Sequence, residues 1–463
     1  MFLAEAAAAI NGSLSGENVE FHSVSTDTRT IKSGDLFIAL KGPNFNGHDY
    51  IAKAVAAGAS GLLVSEAVDA NVPYIKVENT LRGLGELACA WRDQFDISTI
   101  AITGSCGKTT VKEMVASILS LKGETLATQG NLNNEIGVPL TLLSINEGHE
   151  FAVIELGANH IGEIAYTVSL VKPSVAVITN AGNAHIEGFG SAENIAKAKG
   201  EIYQGLMANG KAVINFDDDF ADYWREIAEG YELIGFSLEN ANAAFFSKNI
   251  QLSDSGHYEF DLHAVGEQIK VRLPVLGKHN VLNAVTAATV AMQVGASIEQ
   301  VKVGLEKVTP IKGRLYPVKV GKHLVVDDTY NANPVSIKAA VEMVAEMDGK
   351  TSVVLGDMAE LGTHAPSLHR EVGEYVALQG VDYLVVKGKH AADYLVGFNK
   401  FKDDTQTGMR FDEFHEVVGY LNEEAPEIIL VKGSRSAAME NVVEQFCDFP
   451  RDQNENEIKK GIN

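Results

Sequence analysis

The run Gly104-Ser105-Cys106-Gly107-Lys108-Thr109-Thr110 combines glycines, a lysine and neighbouring hydroxyls in the order that suits a phosphate cradle. Glycines let backbone N–H groups turn toward phosphate oxygens, and a following helix N-terminus adds partial positive charge. Lys108 would reach the β- and γ-phosphates of a nucleotide, and the Thr109 hydroxyl would ligate Mg²⁺. The full phosphate-loop pattern also asks for a glycine at position 102, where this chain has Ile102. A glycine-rich turn with a solvated lysine is the plainer alternative. The apolar strand pattern before the loop and the helical pattern after it favour ATP.

Other polar residues fall where a parallel sheet would bring them beside that loop. Glu155 ends the apolar run Phe151–Leu156 and suits either a Mg²⁺ ligand or an ordinary strand-end acid. The next run leads through Thr179-Asn180-Ala181-Gly182-Asn183-Ala184 to His185, at the same predicted edge. Lys199, within Ile195–Glu201, reads from its residues alone as a surface lysine on a helix. Gly277-Lys278-His279-Asn280-Val281-Leu282-Asn283 opens another helix. There His279, Asn280 and Asn283 suit the edges of a nucleotide base, while helix capping by Asn280 competes with that reading. Farther on, Asp327-Asp328-Thr329-Tyr330-Asn331-Ala332-Asn333-Pro334, Leu355–Gly362 and Val431–Ser436 each follow a strand pattern, so together they suggest a second ligand surface; for any one of them, turn chemistry suffices.

The elements that must hold these groups follow from periodicity. Val111, Met114, Val115, Ile118 and Leu119 recur at i, i+3, i+4, i+7 and i+8, the stripe of an amphipathic helix packed on a sheet. Strands are expected at 35–40, 61–64, 97–102, 151–156, 175–179 and 212–216, and a helix over 48–57. Alternation in His257–Leu262 and Ile269–Leu273 predicts an antiparallel hairpin. A second strand–helix series runs through 323–326, 352–355, 383–386 and 427–431. The chain is therefore read as α/β in three domains: a small N-terminal unit over 1–80, a central domain with a mostly parallel sheet over 81–310, and a C-terminal Rossmann-like domain over 311–463.

The formal net charge of −23 gives no general attraction to nucleic acid or anionic membrane. Any polyanionic ligand needs a local site. The scattered Cys89, Cys106 and Cys447 make neither a disulfide framework nor a zinc spacing, which fits a reducing compartment. The first residues make a poor signal peptide, and no apolar run approaches the roughly 18–20 residues of a membrane span. A cytoplasmic protein is expected, with a monomer as the default.

Taken in order, these motifs resemble the Mur ligase family, on its D-alanyl-D-alanine-adding branch. The carriers are Ser25-Thr26-Asp27-Thr28-Arg29, Gly34–Leu40, the phosphate loop, Asn131–Pro139, Glu155–Gly162, Thr179–Gly190, Gly277–Asn283, Asp327–Pro334 and Leu355–Gly362. The most discriminating is Asp-Asp-Thr-Tyr-Asn-Ala-Asn-Pro. It and the N-terminal region argue against the related folylpolyglutamate synthases. The resemblance implies a UDP-sugar-binding first domain, a central ATPase domain and a C-terminal domain that takes the dipeptide. It implies that UDP-N-acetylmuramoyl-tripeptide and D-alanyl-D-alanine are joined through an acyl phosphate, with ATP and two Mg²⁺ ions. It also implies that Lys199 carries a CO₂-derived carbamoyl group and, with His185, Glu155 and Thr109, serves the metal ions. Asn280, Asn283 and Arg314 would contact ATP. Ser25, Asp27, Arg29, Asn134, Asp328, Tyr330, Asn331 and Asn333 would contact the substrates.

Overall fold

The computed structural model describes residues 1–182, 189–253 and 256–449. Three α/β units follow one another, each built on its own sheet. The first sheet has the order Ser13–Ser15, Tyr74–Lys76, Gly61–Val64, Asp35–Ile38, Ser23–Ser25; its first pair is antiparallel and the rest are parallel. The second has nine strands. Six parallel strands are arranged as Thr125–Ala127, Phe151–Glu155, Ser98–Thr103, Val175–Ile178, Lys211–Asn215, Glu232–Phe236. Phe245–Leu252 joins them in parallel, and His257–Ala264 and Glu267–Leu276 extend the sheet antiparallel. The expected hairpin is thus the outer part of the central sheet. The third sheet runs Tyr316–Val320, His323–Asp328, Ile428–Lys432, Thr351–Leu355, Tyr383–Val386, Thr407–Arg410, parallel except for its first pair.

The central parallel strands are apolar on both faces because helices cover both. Ile100 and Ile102 pack with Met114, Val115, Val281 and Val285, while Ala101 packs on the other face with Ile154, Ile178 and Ile195. The helix Lys108–Leu119 buries the predicted stripe, and each such aliphatic side chain contributes about 1.5–3 kcal/mol. Thr80–Arg92 joins two cores: Leu84 and Leu87 belong to the first unit, Ala88 to the second. Its last residue, Arg92, is buried and donates to the carbonyls of Val171 and Lys172.

One local expectation is corrected and one competing alternative drops out. The segment 48–57 starts as a 3₁₀ turn, Gly47–Tyr50, and becomes α-helical only over Ile51–Ala56, because Asn46 caps the turn through the His48 N–H. Asn280 is not a helix cap. The helix is His279–Gln293, entered through Lys278 after Gly277 at φ 91°, and the Asn280 side chain donates back to the Leu276 carbonyl at 2.6 Å.

Candidate active site

Strand order decides which loops meet. Ser98–Thr103 lies between Phe151–Glu155 and Val175–Ile178, all parallel, so the phosphate-type loop, Glu155 and the Thr179–Gly182 turn emerge side by side. Gly107, at φ 82°, is the residue before the helix Lys108–Leu119, and a Cβ there would meet Asn283 Oδ1 at 2.5 Å. Close packing against the helix His279–Gln293 therefore demands glycine at 107. Lys108 folds back so that Nζ donates to the Gly104 carbonyl at 2.7 Å. Burial lowers its affinity for the proton, and Glu155 partly restores it.

Behind the loop, Thr109 Oγ1 donates to Glu155 Oε2 at 2.8 Å, and Asn133 Nδ2 donates to Glu155 Oε1 at 2.8 Å. Glu155 is only 2% exposed, so its charge is held among these donors. Lys199 is 3% exposed and has no hydrogen-bond partner among the described residues. Burial, assisted by the Lys108 charge, pushes its amine down to about 7. The surface-lysine reading is thereby overturned: the helix Ala192–Gln204 buries Lys199 on the stripe of Ile195 and Ile202. His185 lies outside the described residues.

These groups line a cleft of about 540 Å³ between the second and third units. The third unit supplies the opposite wall through Arg314, Asp328, Tyr330, Asn331 and Asn333. Arg314 lies over the Tyr330 ring, 4.2 Å from its centroid. Asp328 pairs with the buried Lys432 at 2.5 Å, and Lys432 also donates to the Asn331 carbonyl at 2.9 Å. Asn333 caps the helix Pro334–Ala345 by accepting from the Ser336 N–H. Its Nδ2 also donates to Cys106 Sγ at 3.4 Å, so the two units touch at the loop itself. Both ends of the Asn333 amide are thus engaged.

The structure gathers Ser105 to Thr110, Asn134, Glu155, Lys199, Asn280, Asn283 and the Arg314–Asn333 group around this cleft. Gly104 stands behind it as the acceptor for Lys108. Ser25, Asp27 and Arg29 lie elsewhere, at the end of the strand Ser23–Ser25 in the first sheet. There Arg29 makes a forked pair with Asp27, at 3.0 and 2.6 Å, which pulls the Asp27 carboxyl down to about 2. Of the three C-terminal loops, Asp327–Pro334 and Lys432 reach the cleft, whereas Asp357 turns away to accept the Lys389 and His390 N–H groups. Asn133, Thr179, Asn180 and Lys432 are contributors that residue type alone did not single out. Asn133 and Asn180 sit within motif runs, but which asparagine turns inward depends on strand order.

Comparison with known proteins matches this architecture unit by unit. The description "Mur ligase family, catalytic domain" fits residues 20–92, "Mur ligase middle domain" residues 102–291, and "Mur ligase, glutamate ligase domain" residues 313–446. The chain is 44% identical over 438 residues to the UDP-N-acetylmuramoyl-tripeptide--D-alanyl-D-alanine ligase of Escherichia coli (strain K12), covering 94% of this chain and 95% of that one. Identity to the Haemophilus influenzae protein of the same name is 42%, covering 93% and 95%. Among solved structures, MurF from Acinetobacter baumannii superposes with a TM-score of 0.90 at 37% identity, covering 96% and 98% of the two chains. MurF ligase from Thermotoga maritima in complex with ADP superposes with a TM-score of 0.82 at 28% identity, covering 95% and 99%.

Proposed function

Because the chain belongs to the Mur ligase family, we propose that it joins D-alanyl-D-alanine to UDP-N-acetylmuramoyl-tripeptide at the expense of ATP, giving UDP-N-acetylmuramoyl-pentapeptide, ADP and phosphate for peptidoglycan synthesis. The observation that carries this reading is the cleft: a phosphate-type loop and buried Glu155 and Lys199 face the Asp328–Asn333 loop of another unit. Relatives bearing that activity match nearly the whole chain.

A terminal carboxylate oxygen of the tripeptide attacks the γ-phosphorus, a C–O–P linkage forms, and the bond to the ADP oxygen breaks with its electron pair. The dipeptide amine then attacks the acyl carbon, loses a proton, and phosphate departs. Such chemistry needs alignment and charge compensation more than a strong nucleophile. Lys108 and the N–H groups opening the helix Lys108–Leu119 compensate charge on the phosphates. Asn280, Asn283 and Arg314 would hold the nucleoside end. Asp328, Tyr330, Asn331 and Asn333 would present the dipeptide, and Ser25, Asp27, Arg29 and Asn134 would hold the UDP-linked substrate. The contact of Asn333 with Cys106 helps seal the cleft from water, which would otherwise hydrolyse the acyl phosphate.

The donors suit Mg²⁺. The Thr109 hydroxyl and Glu155 carboxylate are hard oxygen ligands already 2.8 Å apart in a buried setting. Bound there, the ion would neutralise phosphate charge. Lys199 suits a carbamoyl group for a different reason. An amine held at about 7 is substantially neutral at physiological pH, the form that adds to CO₂, and the product would be an anionic oxygen ligand for a second Mg²⁺. A monomer is the default reading, and nucleotide-linked substrates suit the cytoplasm. Among the described residues no helix is long and apolar enough to cross a membrane.

The test is product analysis by mass spectrometry with ATP, Mg²⁺, UDP-N-acetylmuramoyl-tripeptide and D-alanyl-D-alanine. UDP-N-acetylmuramoyl-pentapeptide and ADP should form together, and only when both substrates are present. ADP release indifferent to the dipeptide would overturn the proposal.

A further inference from the structure

We propose that Asn180 is a positioning residue for ATP: its carboxamide clamps the Cys106 peptide and so holds the phosphate-binding loop in shape where the upstream glycine of the longer pattern is missing. The inference rests on reading Gly104–Thr110 as the ATP site. In this chain position 102 is Ile102, fully buried in the strand Ser98–Thr103, so the chain stays extended through Thr103 and turns only at Gly104. The shortened loop has less of itself to lean on, and the end of the neighbouring strand supplies the support.

That support is dense and specific. The Cys106 N–H donates to Asn180 Oδ1 at 3.0 Å, and Asn180 Nδ2 donates to the Cys106 carbonyl at 3.1 Å. Thr179 Oγ1 donates to the same carbonyl at 2.6 Å. The Ser105 N–H donates to the Asn180 carbonyl at 2.9 Å, and Ser105 Oγ to the Gly182 carbonyl at 2.7 Å. Gly104, at φ 150°, lies so close that a Cβ would sit 1.8 Å from Thr179 Oγ1. Meeting both the N–H and the C=O of one residue requires a planar group with one acceptor and one donor, which a carboxamide has and a carboxylate lacks. The captured carbonyl matters electrostatically. Without Asn180 the carbonyl is left to Thr179 Oγ1 alone and the Cys106 N–H loses its acceptor, so the peptide is free to tilt its partial negative charge toward the phosphates and disturb the Gly104 anchor of Lys108.

Asn180→Ala removes both bonds of the clamp, and Asn180→Asp keeps the shape but sets an oxygen against the Cys106 carbonyl. The measurements are the Kd of Mg²⁺–ADP by calorimetric titration, the KM of ATP and of D-alanyl-D-alanine, and the melting temperature. The expected result is a rise of about 10-fold in Kd and in the KM of ATP for Asn180→Ala, and a larger rise for Asn180→Asp. The KM of the dipeptide should stay at its wild-type value, and the melting temperature should fall by no more than about 8 °C, the cost of two lost hydrogen bonds. Variants that bind Mg²⁺–ADP like wild type would overturn the inference and leave the proposed function standing, as would a dipeptide KM that rises in parallel. Wild-type protein that binds no Mg²⁺–ADP would overturn both.

Discussion

Replacing Lys199 by methionine should make the protein more stable and inactive at once. The side chains are similar in length, and Lys199 is almost fully buried beside the Lys108 charge, so the main change is removal of a desolvated charge. Its amine binds protons with a pKa of about 7 in the folded chain against 10.5 ordinarily. The unfolded chain therefore binds more protons between those values, and stability rises with pH across them. The cost of the lysine is full below pH 7 and fades as pH climbs toward 10.5. Near pH 7.5 the upper bound is about 4 kcal/mol, at about 1.4 kcal/mol per tenfold in proton affinity. Relaxation toward the cleft and water entry reduce this to about 2 kcal/mol, which in a domain near 200 residues moves a melting transition by about 4–8 °C.

The assay is differential scanning calorimetry of wild type and Lys199→Met in CO₂-depleted, Mg²⁺-free buffer at pH 7.5 and pH 10. The variant should melt higher at pH 7.5, and the gap should narrow at pH 10. Adding bicarbonate with Mg²⁺ should raise the wild-type transition and leave the variant unmoved, while ligation is lost in the variant. A variant that melts at or below wild type at pH 7.5 would refute the burial argument. Retained activity would refute the chemical role. The expected combination, stability gained where function is lost, is what a buried group kept for chemistry produces.

Other outcomes follow from single contacts. Glu155→Gln keeps an acceptor for Thr109 but loses the carboxylate charge, so the Mg²⁺ concentration for half-maximal activity should rise at least about 10-fold by titration; an unchanged Mg²⁺ dependence would remove Glu155 from the metal site. Cys106 lies in the loop under Asn333, so its alkylation, followed by mass spectrometry, should be slowed by Mg²⁺–ATP and accelerated in Asn333→Ala. That variant should also lose about 1 kcal/mol through its missing helix cap; indifference of the thiol to both changes would contradict the contact. Arg29→Ala should raise the KM of the UDP-linked substrate and leave Mg²⁺–ADP binding alone, because Arg29 stands in the first sheet, away from the cleft.

What was legible in the sequence was whatever a short window contains. The apolar runs at 100–102, 151–154 and 175–178 carry their own signal, because the middle of a strand covered on both faces must be apolar. Gly107 and Lys108 announce the loop because few other roles need both at a strand–helix junction. Lys199 was legible in principle. It falls four residues after Ile195 and three before Ile202, on the buried stripe, while Lys197 between them is exposed. A lysine on an apolar stripe has at least its stem buried, and reading residue type without helical phase hides that. For Asn280 the alternative of a helix cap stays open in the sequence because asparagine is a favoured cap; the helix begins at His279 and the Leu276 carbonyl at the strand end takes its amide. Asn180 with Cys106, Asn333 with Cys106 and Lys432 with Asp328 are pairings 74, 227 and 104 residues apart. No local pattern encodes them. They follow from strand order, which sets Asp328 beside Lys432, and from the third unit meeting the second, which brings Asn333 onto Cys106.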